Sequence, residues 1–176
     1  MRAAGGNQGA EAFLIRKLHH AAYRCRDSEQ TRRFYEDFLG LRLAGTLEIG
    51  ETKSGRKTQT LHTFYEMGDG AYLAFFEAPD MPFEWKEQHD YDLHIAVEVD
   101  EAALLPMLAK GRAAGIESRG VSDHTFIHSI YFRDPSGYVV ELTARMPNHD
   151  REMDPTQNDA RAKLDRWQTN RTRKDD

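Results

Sequence analysis

Two histidines and one glutamate stand out by residue type and position. His20 opens Leu18-His19-His20-Ala21-Ala22-Tyr23-Arg24-Cys25, and His94 opens Leu93-His94-Ile95-Ala96-Val97-Glu98-Val99. Glu141 lies within Tyr138-Val139-Val140-Glu141-Leu142-Thr143. Side chains alternate across a strand, and this sorts the candidates. Leu93, Ile95, Val97 and Val99 form one apolar face that belongs against helices, so His94, Ala96 and Glu98 point the other way. The same pattern puts His20, Ala22 and Arg24 on the matching face of the first segment. His19, Ala21, Tyr23 and Cys25 fall on the helix side, so His20 rather than His19 is the partner of His94. Glu141 shares a face with Val139 and Thr143, where a carboxylate is costly unless it is paired or bound to a cation. Two neutral imidazoles and one carboxylate on converging strands make a facial triad, which leaves half the positions of an octahedral ion open.

The elements that must position these residues are written twice. Each copy runs from a histidine-bearing strand through an acid-led helix to a glycine: Asp27 to Leu39 then Gly40, and Asp100 to Ala114 then Gly115. Asp27 and Gln30 form a capping-box pattern, with Phe34, Phe38 and Leu41 at helical spacing behind it. Strands are predicted over 17–25, 41–49, 58–67 and 71–77, with a polar hairpin tip at 50–57. The second copy repeats the order over 92–99, a helix at 101–114, then 116–120, 126–133 and 138–144. Pro106 sits inside that helix and removes a backbone donor, so the helix is expected to start late or bend. Asp154-Pro155-Thr156-Gln157 reads as a helix start, with Ala160, Leu164 and Trp167 on one face, docked on the domain or on a partner copy. The resulting division is a disordered 1–16, a first βαβββ module at 17–78, a linker at 79–91, a second module at 92–145, and a tail at 146–176 with a helix near 155–169.

Bulk composition excludes several classes. The 176 residues suit one domain or two small halves, and no apolar run approaches the roughly 20 residues a spanning helix needs. Met1 to Glu11 has no apolar core of the kind a signal peptide carries. Cys25 is the only cysteine, which rules out an internal disulfide and fits a reducing cytoplasm. A net charge of -5 argues against a nucleic-acid surface.

The stretch from His20 to Asp27, followed by Phe34-Tyr35-Glu36-Asp37-Phe38-Leu39-Gly40-Leu41, resembles the opening module of the vicinal oxygen chelate superfamily. Phe132-Arg133-Asp134-Pro135-Ser136-Gly137-Tyr138-Val139-Val140-Glu141 is similar to that superfamily's closing motif. The resemblance covers residues 17–145. It implies an α+β fold of two βαβββ modules forming an open, cup-shaped mixed sheet with helices outside, around a divalent metal held by His20, His94 and Glu141. Members include glyoxalase I, extradiol ring-cleaving dioxygenases, fosfomycin-resistance enzymes, methylmalonyl-CoA epimerase and bleomycin-binding proteins; membership alone does not name a reaction.

Departures from the family pattern narrow the choice. Glyoxalase I and the epimerase use a fourth protein ligand near the end of the first module, and Ala74 falls in that slot. Glu77, three residues on, has the opposite parity. A three-ligand site favours reactions in which substrate and a second molecule both reach the metal, as in the Fe(II)-dependent ring-cleaving dioxygenases. Those enzymes resemble this chain in carrying a tyrosine where Tyr131 stands, ten residues before Glu141. They also need a second acid or base near the metal, and His124 is the favoured candidate, ahead of His128 and His89. The expectation is a metal-dependent enzyme cleaving a catechol-like aromatic with Fe(II). A glyoxalase-like lyase or isomerase with Zn, Ni or Mn is the alternative, and a small-molecule binding or resistance protein the second. A cytoplasmic homodimer acting on a small molecule, with no nucleic-acid or membrane partner, completes the reading.

Overall fold

In the computed structural model, residues 14–171 are described; the expected disorder at 1–13 and the last five residues of the tail lie outside them. The chain divides into two compact units, one ending at Phe83 and the other beginning at Glu84. Each is an α+β unit built on one four-stranded mixed sheet.

The first unit runs β1 (His20–Arg24), α1 (Ser28–Arg32), β2 (Arg42–Glu51), β3 (Lys57–Glu66) and β4 (Tyr72–Glu77). Its sheet order is β1-β4-β3-β2, with β1 parallel to β4 and the other pairs antiparallel. The Asp27 carboxylate accepts Gln30 N–H at 2.7 Å and starts α1 where the capping pattern places it. After Arg32 the helix widens into a π-helical stretch, Arg33–Phe38, marked by Leu39 N–H donating to Phe34 O at 2.9 Å. The wider turn rotates Tyr35 inward as well as Phe34 and Phe38. Tyr35 is packed 4.5 Å, ring centre to ring centre, from Phe75.

The second unit repeats this plan: β5 (Ile95–Glu98), α2 (Glu101–Ala113), β6 (Ser118–Asp123), β7 (Ile127–Arg133) and β8 (Val139–Arg145), in the order β5-β8-β7-β6. Contrary to expectation, α2 does not start late: it begins at Glu101 and runs through Pro106. Leu104 and Leu108 are buried on either side of the proline, and that burial outweighs one missing backbone bond. Gly111 brings α2 against β7, where a methyl group would overlap the Phe132 ring.

The two sheets close with the same turn. Gly70 N–H donates to Met67 O and Met67 N–H to Ala71 O; Gly137 N–H donates to Asp134 O and Asp134 N–H to Tyr138 O. Both glycines have positive φ, +74° and +99°, which only glycine adopts without cost. At Gly137 a side chain would also meet the Lys86 carbonyl at 2.6 Å and Trp85 at 2.9 Å. Trp85 therefore packs on this turn.

The tail differs from the expectation. Asp154 accepts Thr156 N–H at 2.9 Å in a local turn, and the tail helix expected near 155–169 starts later. After α3 (His149–Glu152), the last helix, α4, spans Ala160–Asn170 and begins where Asn158 Oδ1 accepts Ala160 N–H at 2.8 Å. The start at 155 fails because residues 155–158 offer no apolar face to bury, so the cap closes a turn instead. None of the α4 residues is buried, Leu164 and Trp167 included. Among the described residues no helix is long and apolar enough to cross a membrane.

Candidate functional site

Strand register makes the two units directly comparable. In the second, Ala96 on β5 pairs with Glu141 on β8, and Glu141 pairs with Tyr131 on β7. In the first, Ala22 pairs with Ala74, and Ala74 with Phe64. His20 and His94 each stand two residues before the alanine of their row. Ala74 thus occupies in the first unit the place Glu141 holds in the second, and Phe64 the place of Tyr131. Glu77 turns to the helix side, where its carboxylate accepts Ser28 N–H at 2.7 Å.

The second unit brings four of the five predicted site residues together. Glu141 is 5% exposed, and its Oε2 lies 3.3 Å from His94 Nε2. Its Oε1 accepts the Tyr131 hydroxyl at 3.3 Å. The Tyr131 hydroxyl lies 2.7 Å from His124 Nε2. With its proton given to the carboxylate, the phenol oxygen accepts from His124, so a directed chain runs His124 to Tyr131 to Glu141. Burial, and then the Glu141 charge, push the Tyr131 phenol above its usual range. His124 is aimed by a three-residue link between β6 and β7. There Thr125 adopts φ +76° and His124 N–H donates to Ile127 O at 3.0 Å. A threonine in this conformation costs of order 1–3 kcal/mol, strain of the kind that gathers at functional loops.

The tautomer of His94 follows from its other nitrogen. Nδ1 lies 2.7 Å from the Asp90 carbonyl, which can only accept, so Nδ1 carries the proton. Nε2 is thereby turned to a carboxylate oxygen of Glu141 3.3 Å away, and in a neutral ring it presents a lone pair there. A positive centre belongs between such a ring nitrogen and a carboxylate, either a proton on Nε2 or a metal ion, and an imidazole anchored through Nδ1 beside a buried carboxylate suits a divalent ion. His94 and Glu141 are by their chemistry a pair of donors that a divalent ion accepts. Among the described residues, no three His, Cys, Asp or Glu side chains gather into a group that could hold a metal ion.

His20, the remaining candidate, lies in the first unit on the face opposite the helix, with its ring centre 5.8 Å from Phe64 and 6.5 Å from His62. His19 Nδ1 lies 2.9 Å from His20 Nδ1. His62 is not among the residues the sequence singles out, although alternation along β3 places it with Thr60 and Phe64 on His20's face. It is buried, stacked 3.6 Å from Phe76, and Nδ1 donates to Phe75 O at 3.0 Å. Its Nε2 is thereby left as the acceptor. Phe64 and Phe76 flank this face, whereas Tyr65 and Phe75 are core residues on the helix side. His128 is turned towards Glu101 and Asp123, away from Tyr131, and His89 caps its own turn by accepting Tyr91 N–H at 3.1 Å. Cys25 is buried as expected, with its thiol pushed up to about 11 by burial. A cleft of about 450 Å³ lies elsewhere, between β2, β3 and Pro79. It carries no histidine, whereas a smaller one of about 200 Å³ is lined by Tyr131 and Arg119.

Residues 17–142, most of the chain, match the sequence model of the Glyoxalase/Bleomycin resistance protein/Dioxygenase superfamily. The chain belongs to this superfamily. No curated protein matches it in sequence. Among solved structures, the superfamily fold recurs in the fosfomycin resistance protein FosX from Mesorhizobium loti, at 20% identity and a TM-score of 0.58, over 78% of this chain and 98% of that one. A glyoxalase family protein from Enterococcus faecalis aligns at 22% identity and a TM-score of 0.57, over 74% and 99%. An antibiotic binding protein from a Streptomyces species aligns at 18% identity and a TM-score of 0.55, over 77% and 100%.

Proposed function

We propose that the protein is a metal-dependent enzyme in which His20, His94 and Glu141 hold one Fe(II), and that it cleaves the ring of a catechol-like aromatic with dioxygen. The observation that carries the reading is the His94 lone pair facing the buried Glu141 carboxylate, with the Tyr131–His124 pair hydrogen-bonded to that same carboxylate. Two imidazoles with one carboxylate form the ligand set of non-haem Fe(II) oxygenases. When bound, such an ion supplies activation of dioxygen and of a chelating substrate. The chain's own groups handle the protons. His62, with Nδ1 committed to Phe75 O and Nε2 unprotonated, takes a phenolic proton from substrate on the His20 face. The flanking Phe64 and Phe76 rings suit a flat aromatic substrate. Tyr131 holds a proton against Glu141 and returns it to the developing product oxygen, and His124 resupplies it.

A second reading, a glyoxalase-like lyase or isomerase with Zn, Ni or Mn, uses the same acid–base groups. It is supported by the likeness in fold to the Listeria monocytogenes fosfomycin resistance protein complexed with Mn(II), at 18% identity and a TM-score of 0.58. Protein loaded anaerobically with Fe(II) or with Mn(II) separates the two in an oxygen electrode with a panel of catechols. Oxygen uptake with Fe(II) alone supports ring cleavage. Turnover without oxygen uptake moves the assignment to the lyase, and no turnover with any metal leaves a small-molecule binder like the Streptomyces protein.

A further inference from the structure

His94 and Tyr131 flank Glu141, and one residue outside the sheet reaches both. Asp90 accepts the His94 Nδ1 proton on its backbone carbonyl at 2.7 Å. Its carboxylate pairs with the Arg119 guanidinium on β6. Arg119 in turn lies over the Tyr131 ring, its Cζ 4.1 Å from the ring centre. Asp90 sits in a tight turn in which Asp92 N–H and Leu93 N–H both donate to His89 O, at 2.8 and 3.3 Å. His89, Tyr91 and Asp92 are exposed, so packing does little to hold this turn, and the Asp90–Arg119 pair is its tie to the sheet. Resting on the reading of His94 and Glu141 as metal ligands, we infer that Asp90 is a positioning residue for the metal centre. Its carbonyl holds His94 in the tautomer whose Nε2 faces Glu141, and its carboxylate, through Arg119, steadies the Tyr131 ring that reaches the other oxygen of Glu141. The carboxylate also offsets a cation that would otherwise stand uncompensated beside a divalent ion.

The test uses the full chain with Asp90→Asn, Arg119→Gln and the double variant. The side-chain ¹⁵N signals of His94 in metal-free protein report the tautomer, and the electron paramagnetic resonance of free Mn(II) reports affinity. Each single variant is expected to weaken Mn(II) binding by about tenfold, the low end for groups that orient a ligand, and to turn His94 into a mixture of tautomers. The double variant should be no weaker than the worse single, because both act through one contact. Arg119→Lys should restore part of the loss. His94→Ala is the control: if it binds Mn(II) like the wild type, the ligand reading itself falls. If His94→Ala loses the metal while both single variants keep wild-type affinity and a single tautomer, Asp90 has no positioning role. Multiplicative losses in the double variant would overturn the shared path through the pair.

Discussion

Replacing Glu141 by glutamine should have opposite effects on folding and on metal binding. In the metal-free protein the carboxylate is 5% exposed and accepts from Tyr131 on one oxygen, while its other oxygen faces the His94 lone pair at 3.3 Å. A glutamine keeps the Tyr131 bond on its carbonyl and can donate its amide proton to His94 Nε2. The variant therefore gains a neutral hydrogen bond, worth about 0.5–1.5 kcal/mol, and sheds the cost of burying an incompletely paired charge. Together these should stabilise the chelated protein by about 1–2 kcal/mol, a rise in melting midpoint of about 3–6 °C for a chain of this size. Metal binding loses its only anionic ligand and should weaken by about 100-fold or more, close to 3 kcal/mol. Calorimetry in chelator at pH 8, where free imidazole is neutral, measures the first effect, and titration with Mn(II) the second. A metal-free Glu141→Gln protein that melts lower than wild type by 1 kcal/mol or more would refute the reasoning. Glu141 would then be satisfied by a protonated His94 and not poised for a cation.

Tyr131→Phe removes the hydroxyl between His124 and Glu141 and should lower kcat by about 10²–10⁴-fold, as expected for a lost acid–base group, with metal content unchanged; equal turnover would exclude Tyr131 from the chemistry. Gly111→Ala should destabilise by about 1–3 kcal/mol, since overlap with the buried Phe132 ring outweighs the better helix propensity of alanine; urea denaturation reads the sign. The Cys25 thiol should resist iodoacetamide at pH 8 in the native state and react on unfolding, because it is 1% exposed and its thiolate is disfavoured. With the thiol raised from 9.0 to about 11 in the fold, its contribution to stability is complete below pH 9 and lost as pH rises through about 11. Cys25→Ala should flatten that part of the alkaline stability curve.

Period-two alternation was legible wherever one face of a strand had to meet a helix. It separated Cys25 and Tyr23 from Ala22 and Arg24, and Val140 from Glu141. It also aligned Ala74 with Glu141 through the shared glycine turn. Local rules failed where the outcome depends on partners distant in sequence. A π-helical turn carries no composition of its own, so the helical stripe of Phe34, Phe38 and Leu41 does not include Tyr35, which the wider turn buries against Phe75. Asp154 has every feature of a cap, yet capping cannot extend a helix that has nothing to bury. His62 was obscured because β3 carries aromatic residues on both faces. The Asp90–Arg119 pair joins a loop to an edge strand 29 positions away, a relation no spacing rule anticipates. His20 rests on the equivalence of its register position to that of His94.

The matched rows Ala22–Ala74–Phe64 and Ala96–Glu141–Tyr131 also carry a consequence for redesign. One row carries the carboxylate and the phenol, and the other carries alanine and phenylalanine at the equivalent positions. Ala74→Glu and Phe64→Tyr would rewrite the first row in the chemistry of the second. Two substitutions would therefore give both rows the same pair of polar groups.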